Sequence, residues 1–154
     1  MSARAIMPEN RLARALRPAG GLDARELIAQ AEARIELLRP SIRAHVQEMV
    51  GEIAPFARQD DDSLFAGRRR LGAAALSVAE VAGAAGMVSV GEIARGLSAM
   101  LNSILAKGIW HTDPLRLHIH ALALAMQAGD DACPQTQLML ARLSQMRKVL
   151  DVAE

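Results

Sequence analysis

The sequence predicts an all-α protein, and three observations support this prediction. Apolar residues make up 51% of the 154-residue chain but aromatic residues only 2%, so the core must consist of aliphatic side chains. Leucine, alanine, arginine, glutamate and methionine, which are strong helix formers, dominate the composition. Apolar positions recur at steps of three and four residues over long segments, which indicates amphipathic helices. Short connections between these segments indicate a helical bundle.

Two prolines, two glycines and scattered arginines occupy residues 1–22, and this composition predicts a flexible N-terminal arm. Because a chain of this length fits one domain, we expect residues 23–154 to form a single helical-bundle domain. No run approaches the roughly 20 apolar residues that cross a membrane, and the chain does not begin with an apolar signal core. We therefore expect a cytoplasmic protein without a membrane partner.

The first helix is predicted to begin at Asp23, which forms a capping box with Glu26. Its apolar stripe keeps a helical phase across Pro40, a residue that removes a backbone hydrogen bond and clashes with the preceding turn. We expect two helical segments, 24–39 and 41–57, although one kinked helix fits the same stripe. The stripe consists of Ile28, Ala31, Ile35, Leu38, Ile42, Val46, Met49, Ile53 and Phe56.

Two helices are predicted in the middle of the chain. One covers residues 64–84 and follows an acidic break, where Asp62 or Ser63 is the expected N-cap. The next covers residues 90–106, with Ser89 heading a capping box. A stretch of alanine and glycine connects these two helices, which should let their backbones come close.

Two further helices complete the predicted bundle. Gly108 fits the end of the helix before them, and Asp113 with Pro114 opens the next one. Gly129 ends that helix, and Pro134 opens the last. The side chains predicted to be buried in the bundle are Leu71, Val78, Ile93, Leu97, Leu101, Ile119, Leu122 and Met126.

Several classes of protein are disfavoured by composition and spacing. The net charge of +1 argues against a nucleic-acid binder, which would carry a basic excess or a basic face. The single cysteine excludes an internal disulfide and a multi-cysteine zinc site. His118 and His120 are two residues apart on one helix, so they do not form a helical zinc pair. We therefore expect no metal, no cofactor and no self-sufficient enzyme site.

His118 and His120 are candidates for phosphoryl or proton chemistry. His118 lies close to the apolar stripe of its helix, so we expect it to be half-buried and packed. His120 shares the outer face of the helix with Arg116. Two interpretations stay open for either residue: an ordinary helical histidine, or a phosphoacceptor or general base.

The segment from Ala75 to Gly86 reads Ala-Leu-Ser-Val-Ala-Glu-Val-Ala-Gly-Ala-Ala-Gly and leads into the next helix. It resembles the core of histidine phosphotransfer (HPt) domains, in which a histidine is followed after two residues by Lys-Gly and then by an Ala-Gly-x-x-Gly turn. The turn matches residues 82–86, and the resemblance covers about residues 62–127. It implies an antiparallel four-helix bundle of HPt type, here with extra N-terminal and C-terminal helical segments.

The chain departs from the HPt pattern at the position that carries phosphate. Leu76 stands where the phosphoacceptor histidine is expected, Ala79 stands in place of the lysine, and Glu80 stands in place of the glycine. Leucine has no nucleophilic ring nitrogen, so this position cannot accept a phosphoryl group.

A second resemblance spans about residues 11–128. Segments 11–16, 18–21, 81–97 and 118–122 are similar to a small alphaproteobacterial CheE-like, chemotaxis-associated family. This resemblance implies a role in chemotaxis signalling.

Together the two resemblances imply a non-catalytic adaptor that docks a receiver domain or a histidine kinase and modulates phosphate flow. The partner-binding surface is expected on the outer face of one helix, at Arg69, Ala73, Leu76, Ala79 and Glu80. Two alternatives remain. One is a genuine phosphotransfer protein that uses His118 or His120. The other is a plain structural or dimerisation module. Leu76 itself could pack under a neighbouring helix or against a partner copy in a homodimer instead of docking a signalling protein.

Overall fold

The computed structural model describes residues 23–129 and 133–152, and every regular element among them is helical. The all-α prediction is confirmed for these residues. None of the helices in this part of the chain combines the length and the apolar composition needed to cross a membrane. The predicted N-terminal arm at residues 1–22 lies outside the described residues. The five α-helices are α1 at Ala24–Ile53, α2 at Asp61–Val81, α3 at Val88–Lys107, α4 at Thr112–Ala128 and α5 at Pro134–Val149.

The helix α1 continues through Pro40, so the prediction of two separate segments is wrong. A 3-10 turn at Ala54–Arg58 follows α1 directly. The chain divides into one unit that ends at Glu36 and a second that begins at Leu37. In a regular helix the N–H of residue 40 would donate a hydrogen bond to the carbonyl of Glu36. Pro40 has no N–H, so this bond is missing at the boundary between the two units.

The apolar stripe of α1 is exposed in the first unit and largely buried in the second. In the first unit the described side chains are exposed, including the predicted stripe residues Ile28 and Ile35. The nitrogen of Asp23 donates to the Glu26 carboxylate at 3.4 Å, which is one half of the predicted capping box. In the second unit the C-terminal part of the stripe is buried at Val46, Ile53 and Phe56, whereas Ile42 and Met49 are partly buried.

The N-terminal ends of α2 and α3 differ from the predictions. Asp60 caps α2, because its carboxylate accepts hydrogen bonds from the Ser63 nitrogen at 2.9 Å and from the Ser63 hydroxyl at 2.8 Å. These bonds lower the pKa of Asp60 below its ordinary value. Met87 stands at the N-cap of α3 without a side-chain cap bond. The predicted caps at Asp62 or Ser63 and at Ser89 are therefore wrong, and Ser89 is buried inside α3.

The predicted C-terminal signals agree with the structure. Gly108 follows α3 and Gly129 follows α4, and each has a φ of 66°, in the left-handed region that glycine adopts without strain. Pro134 begins α5 as predicted. In α4, however, Pro114 is the third residue of the helix rather than the first, because α4 begins at Thr112.

The helices α2 and α3 pack closely and antiparallel. A side-chain carbon at Gly91 would lie 3.5 Å from Ala82 Cβ and 3.7 Å from the Ala79 carbonyl oxygen. At the other end of the pair, a side-chain carbon at Gly72 would lie 3.8 Å from Leu101 Cδ1. A second 3-10 turn, Ala82–Ala85, joins the helices, and Gly86 ends it.

The helix α3 lies at the centre of the packing, since α2, α4 and α5 all contact it. Its buried positions include Ile93, Leu97 and Leu101, as predicted. The other predicted core side chains are buried as well, except Met126, which is only partly buried. The apolar core therefore forms around α3.

We expect Leu97→Ala to lower the free energy of unfolding by ~2–5 kcal/mol, because the leucine is fully buried at the centre of the packing. Leu105→Ala, on the exposed side of the same helix, should cost far less. Urea denaturation of both variants measures the difference. Equal losses at the two positions would show that α3 does not occupy the centre of the core.

Candidate functional site

The predicted partner-binding surface lies on the outer side of α2. Leu76 is 49% exposed, although it is a large apolar residue in the middle of a helix. Arg69, Ala73 and Glu80 are also exposed, and they stand seven and three residues before and four residues after Leu76. This spacing places the four residues on one side of the helix. We call this set the Leu76 face.

Ala79 does not belong to the Leu76 face, so its assignment to the partner-binding surface is wrong. It is only 7% exposed, and its carbonyl oxygen lies beside Gly91 of α3. Ala79 follows Ala75 by four residues and precedes Ala82 by three, so it continues the buried stripe of α2. The close approach of α3 therefore removes it from solvent.

The Leu76 face offers an apolar centre between two opposite charges. The cation is Arg69 and the anion is Glu80, while the small side chain of Ala73 leaves Leu76 uncovered on that side. The side chain of Leu76 has no nucleophilic atom, so it cannot accept a phosphoryl group.

His118 is fully buried in α4, more deeply than its predicted half-buried position. Its Nδ1 lies 2.9 Å from the Pro114 carbonyl oxygen. Because a carbonyl oxygen only accepts, Nδ1 carries the proton and Nε2 is left as an acceptor. Nε2 is buried and has no hydrogen-bond partner among the described residues. Burial keeps this imidazole out of reach of another protein, which disfavours it as a phosphoacceptor.

The environment of His118 favours the neutral imidazole. Burial lowers its pKa from 6.5 to about 4, because desolvation penalises the charged form. The hydrogen bond to Pro114 opposes this effect, and the positive charge of Arg147 adds to it. The side chain is therefore uncharged at neutral pH.

His120 is exposed on α4 beside a groove of about 640 Å³. The groove lies between α4 and the 3-10 turn at Ala54–Arg58, and Arg58 and Gln59 line it together with His120. A phosphoryl group on this imidazole would thus find a guanidinium in the same groove. Of the two candidate histidines, His120 is the one that solvent and another protein can reach.

Arg116 links α4 to the start of α2, a contact that the sequence did not reveal. Its Nη2 donates to the Gln59 carbonyl at 2.8 Å and to the Asp61 carboxylate at 2.6 Å. The ion pair joins residues 55 positions apart in the sequence. No local pattern marks such a pairing, so only the fold brings these groups together.

No group of three or more histidine, cysteine, aspartate or glutamate side chains suitable for a metal ion occurs within residues 23–129 and 133–152. Comparisons of the chain with protein-family models, with curated proteins and with solved structures find no match.

The burial of His118 predicts a specific contribution to acid sensitivity. Between pH 6.5 and about 4 the unfolded chain protonates this histidine while the folded protein does not, so stability falls as the pH falls through this window. The difference in pKa corresponds to at most about 3 kcal/mol. Urea denaturation at both ends of the window should show a smaller acid loss for His118→Gln than for wild type.

The exposed His120 supplies the matched control on the same helix. His120→Gln should lose as much stability on acidification as the wild-type protein. An acid loss in His118→Gln that equals the wild-type loss would contradict a buried, neutral His118.

Proposed function

We propose that the protein is a non-catalytic, HPt-like adaptor of two-component or chemotaxis signalling. On this proposal it docks a receiver domain through the Leu76 face and modulates phosphate flow without carrying phosphate. The observation that carries the proposal is Leu76 itself, half exposed on the outer side of α2 where an HPt domain would have its histidine.

The arrangement of the helices supports the proposal. The antiparallel pair of α2 and α3, joined by the turn that Gly86 ends, corresponds to the two HPt helices that flank the Ala-Gly-x-x-Gly turn. α4 and α5 both contact α3, and we assign the four helices to an antiparallel bundle of HPt type. In this assignment α1 is the extra N-terminal segment, and no helix within residues 23–129 and 133–152 is left for the expected extra C-terminal segment.

The energetics of the Leu76 face suit a small anchor in an interface. Burying a leucine completely contributes ~1.5–3 kcal/mol. About half of the Leu76 side chain is exposed, so covering it with a partner would contribute about 1 kcal/mol to binding. Arg69 and Glu80 on either side provide the polar rim that surrounds the apolar centre of many interfaces. Replacing a histidine by leucine at this position removes the chemistry and keeps an apolar docking surface.

His120 carries the second candidate function, a phosphotransfer protein with an unusual acceptor. The exposure of this imidazole and the guanidinium of Arg58 in the same groove favour it. The burial of His118 leaves that residue as the weaker acceptor.

Substitutions at Leu76 test the docking surface. Leu76→Asn removes apolar area and should weaken binding to a receiver domain by about fivefold, the equivalent of about 1 kcal/mol. Leu76→Asp also places a carboxylate opposite the acidic pocket expected of a receiver, and it should weaken binding by roughly tenfold or more. Calorimetric titration against receiver domains encoded nearby measures both effects.

Leu124→Asp is the matched control, because Leu124 is an exposed helical leucine on α4 that lies outside the Leu76 face. This variant should bind like the wild type. Equal binding by wild type and Leu76→Asp would refute the proposed surface. A wild-type dimer that Leu76→Asp converts to a monomer would instead make the chain a dimerisation module.

Incubation with a phosphorylated kinase or receiver, followed by detection of phosphohistidine, separates the two candidate functions. The adaptor proposal predicts no phosphohistidine on the wild-type protein. Phosphorylation that His120→Ala abolishes would replace the adaptor with the phosphotransfer function. His118→Ala, tested in parallel, assigns the acceptor to one histidine or the other.

A further inference from the structure

The first unit of the chain leaves an apolar helical stripe exposed. Every side chain described in this unit, over residues 23–36, is exposed to solvent. Ile28 is 58% exposed and Ile35 is 43% exposed, so a large part of each isoleucine can still be buried. Because a helix in a protein obtains most of its stability from packing of its apolar face, this stripe is suited to a partner.

The exposed stripe has the spacing of a seam between two paired helices. Its members follow one another at steps of four, three and four residues and are Ala24, Ile28, Ala31 and Ile35. The two alanines are thus seven residues apart, and so are the two isoleucines. Seven residues is the repeat by which two helices pack their apolar seams together. We call these four residues the α1 seam.

We propose that the α1 seam binds the α1 seam of a second copy of the chain, with the two helices antiparallel. A two-fold axis at the middle of the seam places Ile28 opposite Ala31 of the second copy and Ile35 opposite Ala24. Each large side chain then meets a small one, which lets two backbones approach without leaving gaps. A parallel pair in register would instead place alanine against alanine and leave space at those layers.

The charged residues beside the seam favour this antiparallel register. Arg25 and Glu32 flank the seam on the same side, each directly after one of its alanines. In the antiparallel pair the Arg25 guanidinium of each copy lies beside the Glu32 carboxylate of the other, which gives two pairs of opposite charge. Sliding one helix by seven residues brings either the two Glu32 carboxylates or the two Arg25 guanidinium groups together. Like charges repel, so the other registers are disfavoured.

The other side of the seam adds apolar contact. Leu27 is 51% exposed there, and the antiparallel register places it beside the aliphatic part of Arg34 of the second copy. Residues 24–35 extend over about 18 Å of helix, which is short for a protein interface. We therefore expect a reversible dimer with a dissociation constant in the micromolar range or weaker.

Sedimentation velocity of the full-length protein over a series of concentrations tests the proposal. The wild type should pass from monomer to dimer as its concentration rises. Ile28→Gln should raise the dissociation constant by roughly tenfold or more, because the two-fold axis removes this side chain from the interface twice. Leu37→Gln is the matched control, since Leu37 is exposed on α1 outside the seam, and this variant should dimerise like the wild type.

Charge reversals test the antiparallel register. Arg25→Glu or Glu32→Arg alone turns both attractive pairs into like-charge pairs and should weaken the dimer by about fivefold or more at low ionic strength. The double variant restores opposite charges and should dimerise like the wild type. An equimolar mixture of the two single variants should form heterodimers, because one chain then carries two carboxylates beside the seam and the other two guanidinium groups.

Four results would overturn the proposal. The first is a wild-type protein that stays monomeric up to millimolar concentration, and the second is a dimer that Ile28→Gln leaves intact. The third is a dimer that does not respond to the charge reversals, which would exclude the antiparallel register. The fourth is a dimer that Leu76→Asp dissociates, which would place the contact between copies on α2.

The α1 seam shares no residue with the Leu76 face, so the proposal does not rest on receiver docking. Calorimetric titration of Ile28→Gln with a receiver domain keeps the two apart. Unchanged receiver binding by this weakened dimer is the expected result. A monomeric wild type whose receiver binding Ile28→Gln abolishes would give the seam to the receiver and overturn the pairing of two copies.

Discussion

The close contact of α2 with α3 at Gly91 is the constraint on which the candidate docking surface depends. Gly91 brings the α3 backbone against Ala79 and Ala82, and this approach fixes which side of α2 is covered. Leu76 is then left on the uncovered side, half exposed. An alanine at position 91 would make ordinary contacts with α2, whereas a side chain longer than that of alanine would separate the helices and weaken the core around α3.

A second glycine of α3 also allows a close approach. Because Gly96 has no side chain, the guanidinium of Arg147 lies against the α3 backbone, close to the buried His118. The imidazole is neutral because burial lowers its pKa, and its Nδ1 proton is engaged by the Pro114 carbonyl. The glycines of α3 thus allow the close contacts of this central helix with α2 at Gly91 and with Arg147 of α5 at Gly96.

The sequence predicted the features that local chemistry decides. Gly108 and Gly129 end helices because glycine adopts the left-handed conformation there. All the side chains that the sequence analysis predicted to be buried are buried, except Met126. Tertiary packing decided the features that the sequence missed. Ala79 is buried by the neighbouring helix, and His118 is buried more deeply than its helical position indicates. The exposed position of Leu76 was predictable from periodicity, whereas no local pattern indicates whether this face binds another protein.

The central claim is that another protein docks on the outer side of α2. A map of backbone amide shifts in the isotope-labelled protein, recorded while an unlabelled receiver domain is added, tests it most directly. The account predicts that the largest shifts fall within residues 69–80 of α2, around the exposed Leu76. Shifts that cluster around His120 and the groove at Arg58, with α2 unaffected, would contradict the docking surface and favour a phosphotransfer site on α4.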